Sequence, residues 1–117
     1  MLIATVALPA LIGTWSCTTP DDPAARFVYT FRRDQSGRLV RYDATGRKDV
    51  LDRFRFSISP GQQYVVKVGT QREIDSISVR GNTLEDNGYV YYHDGTWIAP
   101  SSQDRYRCAR IARGASG

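Results

Sequence analysis

Few residues in this chain are of a type able to do covalent or acid–base chemistry. There is one histidine, His93, together with two cysteines, Cys17 and Cys108, and a scatter of carboxylates. His93 precedes Asp94-Gly95, a dipeptide that favours a two-residue hairpin turn, and a histidine at such a tip stands in water rather than beside a substrate. Ser57 and Ser59 lack the Gly-x-Ser-x-Gly setting of a nucleophile elbow. Asp21, Asp22, Asp34, Asp49, Asp86 and Asp94 fall in stretches that read as turns, where a short carboxylate caps its own backbone. Asp86 and Asp94 do not have the spacing of a calcium loop, and no glycine-rich phosphate loop is present. Two widely separated cysteines are too few for a metal site. The reading is a non-enzymatic protein with no metal and no cofactor. For the cysteines, two states stay open: a disulfide, usual for a pair in a small exported domain, or two buried thiols in a reducing compartment.

The elements that must position these residues belong to one domain, since the chain has 117 residues. Its formal charge is +4, and the basic residues are nearly all arginine, with Lys48 and Lys67 the two lysines. So modest a charge, without a recognition-helix pattern, gives no footprint for nucleic acid. Residues 1–12, MLIATVALPALI, are almost wholly apolar but too short to span a bilayer, so no transmembrane segment is expected. They resemble the apolar stretch of an export signal, although no Lys or Arg precedes them. The alternative is a short apolar N-terminal plug. Thr14 and Trp15 are the wrong residues for lipid attachment at Cys17. The domain reading is a signal remnant over residues 1–10, a barrel over 11–112 and a disordered tail over 113–117. The location that follows is periplasmic or secreted.

Short β-rich runs alternate with turn signals about every ten residues, the mark of an all-β sandwich or barrel. The runs are 11–18, 26–33, 38–43, 50–59, 64–71, 74–80, 89–93, 96–98 and 105–111, with GNTLEDNG between Arg80 and Tyr89 read as a turn. No stretch has a 3.6-residue period, so little helix is expected beyond one turn within 49–54. Eight or nine strands joined by short loops form an antiparallel up-and-down β-barrel, which removes exposed edges.

Side chains two apart share a strand face. That places Phe27, Tyr29 and Phe31 together, then Phe54, Phe56 and Ile58, then Tyr64, Val66 and Val68, and finally Tyr106 and Cys108. Gly13, Trp15 and Cys17 share a face of the first strand. If the first and last strands close the barrel side by side and antiparallel, a Cys17–Cys108 pair sets Trp15 beside Arg110. A guanidinium over an indole is a favourable contact.

Gly13-Thr14-Trp15 is similar to the Gly-x-Trp that opens the first strand of lipocalins and related calycins. In that family an Arg of the last strand packs across the Trp and closes one end of the barrel, and Arg110 is the matching position. The resemblance covers the two ends and the strand count. It implies a lipocalin-like barrel that holds a small apolar or amphiphilic molecule. The chain is shorter than standard lipocalins and shows no C-terminal helix. An eight-stranded barrel is only just wide enough to be filled by side chains or to hold one small ligand. The inward aromatics therefore either fill the lumen or leave a pocket lined by Tyr29, Tyr64 and Tyr106.

Two surface features complete the reading. Arg32, Arg41, Arg53 and Arg55 lie on adjacent runs and are expected to form an outward basic face for an acidic partner. Tyr91 and Trp97, in the hairpin YVYYHDGTW, mark a contact surface if they point outward. They support the alternative function, a protein-interaction module such as an inhibitor of a protease or lysozyme. Ser59–Tyr64, SPGQQY, resembles the Ser-Gly-x-x-Tyr loop of periplasmic lysozyme inhibitors, with Pro60 interrupting it.

Overall fold

The chain winds up and down through nine strands and returns to its start. A computed structural model describes residues 6–100 and 105–111. A four-residue helix, α1 (Leu8–Leu11), precedes β1 (Gly13–Thr18), β2 (Arg26–Phe31), β3 (Ser36–Tyr42), β4 (Lys48–Ile58), β5 (Val65–Val68), β6 (Arg72–Arg80), β7 (Thr83–His93), β8 (Thr96–Ile98) and β9 (Tyr106–Arg110). All nine belong to one sheet, and the pairing of β6 with β7 closes it. The short β8 pairs only with the end of β7, so the other eight strands make the antiparallel barrel. The expected strand count and topology are present. The tail expected over residues 113–117 lies outside the described residues.

The alternation of apolar residues decides the interior of β2 and β4. Phe27, Tyr29 and Phe31 on β2 and Phe54 and Phe56 on β4 are all buried. Tyr29 stacks on Phe31, with ring centroids 4.7 Å apart, and Phe31 meets Phe56 edge-on at 5.1 Å. Gly37 of β3 faces this cluster without a side chain because Phe54 and the Thr30 carbonyl lie where a Cβ would go.

Closure of the barrel follows the register expected from the sequence. Cys17 pairs with Cys108 and Trp15 with Arg110 between β1 and β9. Cys17 and Cys108 form a disulfide spanning 91 residues. In the chain-entropy picture a loop of that length stabilises the fold by about 4–5 kcal/mol. The Arg110 guanidinium lies 4.2 Å from the centre of the Trp15 ring. It donates to the carbonyls of Ala10 at 2.7 Å and Ile12 at 2.8 Å. The indole nitrogen of Trp15 donates to the Leu11 carbonyl at 3.0 Å. Gly13 makes room for this arrangement. Its φ is +143°, and a Cβ there would meet the Arg110 guanidinium at 2.6 Å. The glycine and the arginine are thus one steric unit.

From Val6 onward the apolar leader packs into the barrel. Val6 and Leu11 are fully buried in the core, Leu8 and Ile12 pack against it, and the Val6 N–H donates to the Gln62 carbonyl in the β4–β5 turn. Pro9 lies in the first turn of α1, and Leu11 ends the helix beneath Trp15. From Val6 onward the segment therefore seals one end, as a plug would, and the packed unit extends upstream of residue 11.

Three local readings are corrected. The turn expected within 49–54 is strand throughout. β4 carries an irregularity there, because Leu39 pairs with Asp52 while Val40 pairs with Val50. Leu51 is the extra residue and stands 45% exposed. The stretch 81–88 is not one long turn. Only Gly81 and Asn82 separate β6 from β7, and Thr83 to Asp86 pair with β9. Finally, the phase of β5 is opposite to that expected. Val65 and Lys67 point into the barrel, whereas Tyr64 and Val68 are exposed.

Candidate functional site

Away from the α1 plug, the lumen opens into a cup of about 360 Å³. Tyr29 of β2 lies at its floor with Lys67 of β5, Asp75 of β6 and Asp86 of β7. Leu39, Leu51 and Asp52 of β3 and β4 form one wall, and Tyr89 and Tyr106 of β7 and β9 form the other. Thr70 and Gln71, in the β5–β6 turn, stand at the rim. The barrel is thus filled by aromatics in its plugged half and hollow in the other.

The hollow half is charged. Lys67 on β5 is 3% exposed, and Asp75 on β6 and Asp86 on β7 are each 2% exposed. The Lys67 ammonium lies 3.1 Å from the Glu73 carboxylate and 3.3 Å from Asp75. It also donates to the Tyr29 hydroxyl. The rings of Tyr29 and Phe54 lie 4.9 and 5.0 Å from it, close enough for cation–π attraction. Strand pairing explains the constellation. Lys67 is opposite Glu73 across β5 and β6, and Ile77 opposite Asp86 across β6 and β7, with an irregularity between Asp75 and Ile77.

Three carboxylates against one ammonium leave the cluster short of positive charge. Burial raises the Asp75 carboxyl to about 8 even though Lys67 pulls it down. Burial likewise raises Glu73 to about 7, helped by its contact with Asp75. Asp86 is also raised, chiefly by burial. Burial opposes the charge on Lys67, but Tyr29, Asp75, Glu73 and Asp86 outweigh it and hold the lysine well above its usual value. Tyr29, fully buried, is raised and stays a neutral phenol.

These shifts carry a sign for stability. The cluster carboxyls keep protons in the fold that they release when unfolded. Their stabilisation is complete below the ordinary carboxylate range and is lost as pH rises through about 7 for Glu73 and about 8 for Asp75. The melting temperature of the oxidised protein is therefore expected to fall between about pH 5 and pH 8, and Asp75→Asn to flatten that slope. A circular-dichroism melt across this range checks it, and a melting temperature that climbs with pH would refute it.

The residues singled out in the sequence are dispersed. Tyr29 and Tyr106 do line the cup, whereas Tyr64 is 45% exposed beside the plugged end. Arg32, Arg53 and Arg55 are exposed, Arg55 donating to the Asp34 carbonyl at 3.0 Å. Arg41 does not join them. It is opposite Phe27, on the inward phase, and pairs with Asp22 at 2.7 Å. Tyr91 is partly buried, opposite Glu73, with its ring against Tyr89. Trp97 is 42% exposed and packs edge-on to Tyr92 at 5.3 Å. His93 contacts Asp94 at an exposed turn. Asp34 does cap a turn, accepting from Ser36, and Asp43, not among the residues singled out, does the same for Thr45 and Arg47. Asp86, grouped with the turn aspartates by its neighbours, is a lumen residue instead.

Sequence reasoning missed Lys67, Glu73 and Asp75 and misassigned Asp86. One signal was present: a lysine and an aspartate interrupting two otherwise β-forming runs at interior positions. Among the described residues no group of three His, Cys, Asp or Glu is arranged to hold a metal ion. No helix among them is long and apolar enough to cross a membrane.

Fold and site together define a closed eight-stranded antiparallel barrel, plugged at one end and opening at the other into a charged cup. Comparison with known protein families, curated proteins and solved structures finds no match.

Proposed function

We propose that this is a non-enzymatic, lipocalin-like binding protein that holds a small amphiphilic molecule in the open half of its barrel. The observation that carries the reading is the cup itself, about 360 Å³, lined by Tyr29, Tyr89 and Tyr106 over a buried ionic floor. That size lies in the range of small-molecule sites, and the lining sets Leu39, Leu51 and three tyrosines against a larger set of polar and charged groups, which suits an amphiphilic rather than a wholly apolar molecule. Placing three carboxylates and a lysine inside a barrel has a desolvation cost that an all-apolar core avoids, which supports a role beyond folding. The disulfide is compatible with an oxidising compartment, and a periplasmic or secreted location fits the reading.

Backbone amide shift mapping by NMR against a fragment library tests it. Perturbations grouped on Leu39, Leu51, Tyr89 and Tyr106 are the expected result. A library that leaves all four undisturbed overturns the proposal. A second reading, a protein-interaction module, draws on the exposed Tyr92–Trp97 pair with Arg72 lying 5.8 Å over the Tyr92 ring. Exposed aromatics beside arginine are the composition of interface anchors.

A further inference from the structure

The cup's ionic floor has a chemical preference of its own. Lys67 is occupied by Tyr29, Glu73 and Asp75, so it is not free to receive an anion. Asp75 is 2% exposed and lines the cavity, yet its Oδ1 has no hydrogen-bond partner. The Asp86 and Glu73 carboxyls are its neighbours in the cluster. A contact between carboxyls is attractive only when one of them holds a proton. The charged and titratable groups facing this spot are Lys67 from β5, Glu73 and Asp75 from β6 and Asp86 from β7. Tyr29 from β2, Tyr89 from β7, Tyr106 from β9 and Asp52 from β4 complete the ring.

We infer that the cup takes an organic monocation, a primary ammonium or guanidinium on an apolar body, with its charged end against Asp75 and Asp86 and its body between Tyr89, Tyr106 and Leu51. The inference rests on the reading of the cup as a ligand site and names its ligand class. An ammonium supplies the donors that Asp75 lacks and replaces the proton otherwise shared among the carboxyls. Such charge-assisted hydrogen bonds are about twice as strong as neutral ones. A bare metal ion is a poorer fit, because the Lys67 ammonium already stands between Glu73 and Asp75. The proton displaced by the ligand leaves for solvent, so binding and pH are linked: acid competes with the cation.

Isothermal titration calorimetry of the oxidised full chain at neutral pH tests this with three probes of one shape: benzylammonium, benzyl alcohol and benzoate. Benzylammonium is expected to bind at least about tenfold tighter than the alcohol. Two buffers of different ionisation enthalpy should show net proton release, and affinity should drop at mildly acid pH. Asp75→Asn should lose about tenfold in benzylammonium affinity while melting no lower than the parent at neutral pH, and Asp86→Asn provides a second such variant. If benzyl alcohol or benzoate binds as well as benzylammonium, the cation assignment falls and the cup remains a ligand site. If none of the three binds at millimolar concentration, both readings fall.

Discussion

Replacing Lys67 by methionine is expected to destabilise the oxidised protein by about 3–5 kcal/mol at neutral pH, the cost of leaving a buried charge cluster without its counterion. Methionine is an unbranched apolar side chain of similar reach, and the rings of Tyr29 and Phe54 already flank the place of the ammonium. What is lost is the ammonium that Glu73, Asp75 and Tyr29 share. The three carboxyls then face one another alone and must either hold their protons or repel. The deficit therefore grows with pH. It is smaller at mildly acid pH, where the carboxyls are protonated in the fold, and larger above about 8, where Asp75 gives up its proton. Urea unfolding at two pH values on either side of that range measures both quantities. Lys48→Met, on an exposed lysine of β4, is the control and should change stability by no more than about 0.5 kcal/mol. An unchanged or raised stability of Lys67→Met at the higher pH would show that the lysine does not neutralise the cluster.

Trp15→Ala is expected to cost about 3–5 kcal/mol, the range for truncating a large core aromatic. The side chain is fully buried, and three elements depend on it. α1 presents the Leu11 carbonyl to its indole nitrogen, β9 lays Arg110 across its face, and β2 sets Tyr29 opposite it. Truncation leaves a cavity at the plugged end and an unsatisfied carbonyl, and it removes the surface that holds the arginine. Trp15→Phe keeps most of the apolar volume and loses the N–H, so it should cost less than Trp15→Ala. Linear extrapolation of urea unfolding, with the disulfide intact in every variant, reads both. A loss under about 1 kcal/mol for Trp15→Ala would mean that the plug does not depend on the Trp15–Arg110 contact.

Where side-chain alternation is strong and the partner is fixed by covalent or antiparallel arithmetic, the architecture was legible in the sequence. β2 sets Phe27, Tyr29 and Phe31 against Arg26, Val28 and Thr30, and the second half of β4 sets Phe54 and Phe56 against Arg53, Arg55 and Ser57, so these inner faces follow from a period of two. The closing seam follows as well. Once Cys17 and Cys108 are paired, antiparallel counting sets Trp15 against Arg110. The Asp94-Gly95 hairpin and the absence of long helices among the described residues are equally local properties.

The cup was decided only by the tertiary structure. On β5 the residues Tyr64, Val66 and Val68 look like the inner set, because they are more apolar than Val65 and Lys67. The fold takes the other phase because Lys67 finds its counterions across the β5–β6 hairpin and beyond, on Glu73, Asp75 and Asp86. A buried lysine is tolerable only with such partners, and no local window contains them all. The irregularities at Leu51 and between Asp75 and Ile77 add a second reason. One extra residue in a strand reverses every face beyond it, and nothing in the residue types announces where that happens. The same holds for the leader. Its apolar residues suit an export signal and a barrel plug equally, and only the assembled fold shows Val6 and Leu11 buried in the core with Arg110 holding the carbonyls of Ala10 and Ile12. The sequence alone therefore determined the barrel and its seam, through local periodicity and one covalent link. The assembled strands alone decided where the barrel stays hollow and what charge it holds, because that depends on groups far apart in the chain neutralising one another.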